Sequence, residues 1–136
     1  MNFFTLNELT RSQTATTRGI NNMPNTEQQE NLRCLVTNLL DPIRERWGRP
    51  LTVISGFRSE ALNRAVGGSA TSDHRTGRAV DISAGNATEN RRLFEMIRTS
   101  GLQFDQMYPI TGKSGAFSSI HVSFRKTGNR NQILNL

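Results

Sequence analysis

The chain has 136 residues, of which 35% are hydrophobic and 21% charged, and 17 Lys plus Arg against 11 Asp plus Glu give a formal net charge of +6. This length sets a single domain over 1–136 as the expectation and allows one real core, while the composition excludes a disordered chain and no apolar run approaches the ~20 residues of a membrane span. The positive balance suits an anionic partner, but the basic residues are scattered apart from Arg125, Lys126 and Arg130, and no stripe of Arg or Lys interleaves with aromatics, which argues against dedicated nucleic-acid binding.

Residues 1–25 read as an irregular wrap that is part of the folded chain. They have no basic leader and no long apolar stretch, so no secretory signal is expected. Thr26 with Gln29 three residues on has the form of a capping box. Leu32, Leu35, Val36, Leu39, Leu40, Ile43 and Trp47 then follow helical spacing, with Pro42 as a kink or change of direction and Gly48 as the stop. Cys34 is the only cysteine, which excludes an intramolecular disulfide; it lies in this apolar pattern and is expected to pack in the interior.

"LTVIS" (51–55) alternates as a strand, "GFRS" turns, and Ser59 caps a short helix that Gly67 and Gly68 end. "GRAVDIS" (77–83) is the next strand, and Thr88 to Ser100 form an amphipathic helix with Gly101 as its stop. "FDQMY" (104–108) and "SSIHVSF" (118–124) are two more strands, joined through "PITGKSGAF". The tail 126–136 is basic. Helices on one side of a small, mainly antiparallel sheet make an α+β fold class.

The only two histidines are His74 and His121. Alternation along the last strand puts Ile120, Val122 and Phe124 on the core face and His121 with Ser123 on the opposite one. Two imidazoles and the carboxylate of Asp81 form a ligand set that catalytic Zn²⁺ uses, with one position kept for water. The same residues also admit an ordinary reading, in which His74 caps a loop and His121 is an exposed strand residue.

The surrounding residues bear on that choice. "SGFRSEALNRAVGGSATSDHRTGRAVDI" and "IHVSF" resemble the zinc D-Ala-D-Ala carboxypeptidases and related phage endolysin peptidases, whose pattern runs S-G-[YF]-R-S, S-x-H-x-x-G-x-A-x-D and H-x-[SDEH] in this order. The resemblance covers residues 30–125. It implies a hedgehog/D-Ala-D-Ala peptidase-like fold, one Zn²⁺ on His74, Asp81 and His121, and hydrolysis of an amide in peptidoglycan stem or cross-link peptides. It further implies that Arg58 holds substrate carbonyl or carboxylate oxygens, with a structural arginine pinning the turn as the ordinary alternative. Ser72 becomes a substrate or supporting hydroxyl, Ser123 a second such hydroxyl or a plain strand serine, Gly77 a tight passage and Ala79 a small residue beneath the site.

One part of the pattern departs. Relatives place an acid three residues before the last histidine, which is Ser118 here, or in text such as "FDQLI-x-E", where the glutamate slot holds Ile110. The nearest carboxylate in that segment is Asp105, carried as the base, with a strand-start Asp bonded to backbone as the alternative. Tyr108 is a further polarising hydroxyl and Asp73 a further carboxylate. A zinc-binding wall-binding or structural module with weak or lost activity is the competing reading, and a basic nucleic-acid-associated factor a third. The expected protein is a monomer, a phage or prophage product made in the bacterial cytoplasm and acting on the cell wall.

Overall fold

The computed structural model describes residues 1–134; the last two residues of the basic tail lie outside the described residues. Five strands form one sheet: β1 (Thr52–Ser55), β2 (Ala79–Ser83), β3 (Gln106–Thr111), β4 (Phe117–Ser123) and β5 (Gln132–Ile133), in the order β1-β2-β4-β3-β5. All pairings are antiparallel except the short parallel pairing of β3 with β5. The α+β expectation holds.

The helices are α1 (Leu6–Thr10), α2 (Gln13–Arg18), α3 (Thr26–Leu35), α4 (Asp41–Trp47), α5 (Glu60–Ala65) and α6 (Ala87–Thr99). Between α3 and α4 the chain stays helical through a π-helical segment, Val36–Leu40. Pro42 explains this placement: it has no N–H to return to the preceding turn, and the wider winding just before it accommodates the missing bond without ending the helix. Gly48 closes α4 at φ 74. The N-cap of α3 is Asn25 with Gln28, one residue earlier than the Thr26 and Gln29 pair expected from the sequence. Both pairs satisfy the pattern, and Asn is at least as good an N-cap as Thr.

The core lies between these helices and one face of the sheet. Leu32, Leu35, Val36, Leu39, Leu40 and Ile43 meet Val53, Val80, Ile82, Met107, Ile120 and Val122, with Leu93 and Ile97 of α6 closing the layer. Every strand residue in this set alternates with one on the opposite face. Cys34 is only half-buried; its sulfur faces the Asn38 amide at 3.5 Å.

Residues 1–25 are more regular than expected. α1 carries a capping box between Thr5 and Glu8, and α2 is capped by Ser12 and ended by Gly19 at φ 65. Phe4 and Leu9 reach the core, the Phe57 amide donates to Leu9 O at 2.7 Å, and the amides of Asn2 and Phe3 donate to the buried Asp41 carboxylate. Among the described residues no helix is long and apolar enough to cross a membrane.

Candidate metal centre

The face of the sheet turned away from the helices carries a polar row. Ser55 pairs with Asp81, Asp81 with His121, and His121 with Tyr108, so four consecutive strands each contribute one side chain at the same level. A register irregularity between Val53 and Ser55 sets the β1 member of the row. An extra residue in an edge strand re-aims the side chains beyond it; here it brings Ser55 opposite Asp81 and leaves Ile54 pointing out, 56% exposed.

His74 comes from outside the sheet. It sits in a 3-10 helix, Asp73–Thr76, whose N-cap Ser72 accepts the His74 amide through its hydroxyl at 3.2 Å. Two side chains of α3 hold this turn: Asn31 donates to Thr76 O at 2.9 Å and Gln28 to Arg75 O at 3.2 Å. Gly77 ends it at φ 78, where a Cβ would lie 2.5 Å from Gln28 O, so both the backbone conformation and the close approach of α3 require glycine. The tight passage expected at Gly77 is present.

The three donors converge. Asp81 Oδ1 is 3.3 Å from His74 Nε2 and 3.0 Å from His121 Nδ1, and one ligand atom from each residue lies within 4.8 Å of the others. All three side chains are buried. His74 Nδ1 lies 2.8 Å from Gly56 O. A carbonyl only accepts, so Nδ1 carries the hydrogen and Nε2 is left to face the cluster; an outer hydrogen bond of this kind orients metal-binding histidines. The Tyr108 ring stacks on His121 at 4.3 Å and 13°, which holds the second imidazole in plane. Burial pushes the Asp81 pKa up, but the hydrogen bonds of His121 and His74 act more strongly together, and its carboxyl stays well below the ordinary carboxylate range. Two imidazoles and one ionised carboxylate, gathered out of water with their donor atoms facing each other, fit a divalent cation of the zinc type.

A pocket of about 310 Å³ opens over this cluster, and Arg58, Ser72, Asp73, Gln106, Tyr108 and Ile110 help to line it. Arg58 is held from three sides. Its amide donates to His74 O at 3.0 Å, Nε to Ser55 Oγ at 3.2 Å and Nη1 to Asn63 Oδ1 at 3.2 Å, while Nη2 stands 4.0 Å from Asp81 Oδ2. Gly68, which from sequence alone only helps to end a helix, also makes room for this arrangement, since a Cβ there would come 2.0 Å from Asn63 Oδ1 and 2.9 Å from Arg58 Nη1. Burial and then the Asp81 charge push the Tyr108 phenol up, so it remains a donor at neutral pH.

The structure places the other expected residues elsewhere. Asp105 does not line the pocket. Its side chain is fully buried and accepts from Arg130 through N and Nε at 3.2 and 2.9 Å on Oδ1 and through Nη2 at 2.9 Å on Oδ2. Arg125 Nε also lies 3.1 Å from Oδ2, close enough for charge attraction, but its N–H is not aimed at the oxygen. These contacts, the Arg130 hydrogen bonds first, hold the Asp105 carboxyl below its usual range, and Asp105, expected as the base, is not among the residues that line the pocket. Ser123 is likewise fully buried, and its hydroxyl accepts the Gln106 amide at 3.0 Å instead of opening to the pocket. Ser118 is exposed and donates to Ile110 O at 3.0 Å.

The carboxylate that does line the pocket, besides Asp81, is Asp73. Its carbonyl accepts from Thr76 Oγ1 and the Arg78 amide, which fixes the backbone beneath it. Asp73 directly precedes His74, and the 3-10 turn lets both reach the pocket, because successive side chains on so tight a helix splay widely.

A family model described as Peptidase M15 matches residues 2–123. No curated protein matches the chain.

Proposed function

The chain belongs to the Peptidase M15 family and is a metallopeptidase, and on that premise we propose that it hydrolyses an amide bond in peptidoglycan stem or cross-link peptides, with one Zn²⁺ on His74, Asp81 and His121. The observation that carries this reading is the convergence of the three buried donors on one point beneath an open pocket. Bound there, Zn²⁺ supplies Lewis acidity for a carbonyl oxygen and lowers the pKa of a water toward neutrality. Three uncharged-or-anionic ligands of this composition leave the ion with net positive charge, which favours both effects.

The chain's own residues complete the site. Arg58 presents Nη2 to a substrate carbonyl or carboxylate oxygen; its other two nitrogens are already bonded, so the guanidinium plane is set before substrate arrives. Asp73 takes the proton of the attacking water and returns it to the leaving amine, the role first expected of Asp105. Tyr108 donates its phenolic hydrogen toward the oxygen on which charge develops. Ser72 acts through His74, whose backbone it caps, and Ser123 through the β3–β4 pairing.

A second reading, a module that binds wall peptides and cuts weakly, draws on Ile110: it lines the pocket at the slot where similar peptidases carry a glutamate. Elemental analysis combined with peptidoglycan digestion tests the main proposal. Wild type is expected to hold one zinc per chain and to release peptides; His74→Ala is expected to lose both. A His74→Ala chain with full zinc and full hydrolysis overturns the assignment.

A further inference from the structure

The pocket over the metal ligands has a neighbour. Arg58 walls both it and a second depression of about 270 Å³. A third, of about 320 Å³, shares Arg11, Ser12, Gln13 and Ile54 with the second. Through these shared residues the three depressions adjoin in a line, here called the trough, that leads from the metal ligands past Arg58 to Ile54 of β1, the edge strand of the sheet.

The character of the trough changes along its length. Beyond Arg58 its lining includes two large apolar side chains left in water, Ile54 at 56% and Val66 at 44% exposure. Ile54 is turned out by the same irregularity in β1 that aims Ser55 at Asp81, so the geometry that builds the polar row also builds the apolar rim. Arg11 and Arg58 are the charged residues of this part of the lining, and no carboxylate joins them. Among the described residues no acid pairs with Arg11. The Arg11 guanidinium, which no acid opposes, stands beside exposed aliphatic side chains, a combination that favours a ligand that is partly apolar and carries a carboxylate.

We propose that the trough beyond Arg58 is an extended subsite. It takes a carboxylate-bearing stretch of the same peptide whose scissile bond lies over His74, Asp81 and His121. The chain therefore engages several residues of a stem peptide and cuts within it, in place of recognising a terminal dipeptide alone. This inference rests on the reading of the chain as a peptidoglycan peptidase.

Binding tests it without requiring turnover. The probe is a fluorescently labelled stem pentapeptide, with its carboxylates free or amidated, and the readout is anisotropy against wild type, Ile54→Ser and Arg11→Ala. Both substituted side chains are exposed, so both variants are expected to unfold within about 2 °C of wild type. Each variant is expected to raise the Kd of the free-carboxylate peptide about tenfold. Amidation should weaken binding to wild type and have little further effect on Arg11→Ala. Wild-type affinity in both variants, or no binding by wild type, overturns the proposal. A wild type that binds the pentapeptide but releases no product from peptidoglycan refutes the peptidase reading and leaves the trough standing. A wild type that cleaves while both variants bind normally does the reverse.

Discussion

Replacing Asp105 by asparagine separates two roles that the same residue was offered. In the structure its carboxylate accepts three hydrogen bonds from Arg130 and attracts Arg125. Asparagine keeps an acceptor for the Oδ1 bonds, but puts an amide N–H₂ opposite Arg130 Nη2 and removes the negative charge. A hydrogen bond to a charged group contributes about 1.5–3 kcal/mol. The partners' side chains are 47% and 43% exposed, so water recovers part of the loss, and a net destabilisation of about 2 kcal/mol is expected. With an unfolding entropy of ~2.1 cal/mol/K per residue, this lowers Tm by about 7 °C. The folded pKa of Asp105 is depressed below 3.8. The stabilisation is therefore complete at neutral pH and is lost as pH falls below 3.8 through the folded value, so the Tm difference between wild type and variant should shrink in strong acid. Hydrolysis by Asp105→Asn at a temperature well below both midpoints should stay within about threefold of wild type. Loss of a general base costs about 10²–10⁴ in rate. A fall of that size with an unchanged Tm would refute the reasoning and restore Asp105 as the base.

Asp73→Asn should show the opposite pattern: kcat down at least about 100-fold, with zinc content by elemental analysis and Tm near wild type; activity within a few-fold of wild type removes Asp73 from the mechanism. Arg58→Lys keeps the charge but loses the fork that bonds Ser55 and Asn63 while facing the pocket. Its kcat/KM should fall about 10–100-fold, and a variant as active as wild type in steady-state assays would make Arg58 a pin for the turn and no more.

The site was legible where local rules decide geometry. Strand alternation alone puts Ile120 and Val122 in the core and His121 on the other face, and the structure agrees. The motif around His74 and Asp81 is compact in sequence, and the fold brings both to His121 across β2 and β4. What the sequence did not reveal depends on distant partners. Asp105 is claimed by Arg130, 25 residues away, which no spacing around "FDQMY" reveals. Ser123 shares a face with His121, but the Gln106 amide takes its hydroxyl. α1 and α2 have five and six residues, too few for periodicity to show. Their signals were the caps: Thr5 with Glu8, and Ser12 with Gly19. The part that Gly56, Asn63 and Gly68 play in holding His74 and Arg58 is equally non-local, and only the tertiary structure exposes it.

The central claim, a metal-dependent cut in peptidoglycan by the cluster of His74, Asp81 and His121, is tested most directly by mass spectrometry of purified peptidoglycan digested with the zinc-loaded chain, with and without a chelator. New peptide termini at one type of amide bond should appear with zinc and vanish with the chelator. The same termini in both digests, or none in either, would contradict the account.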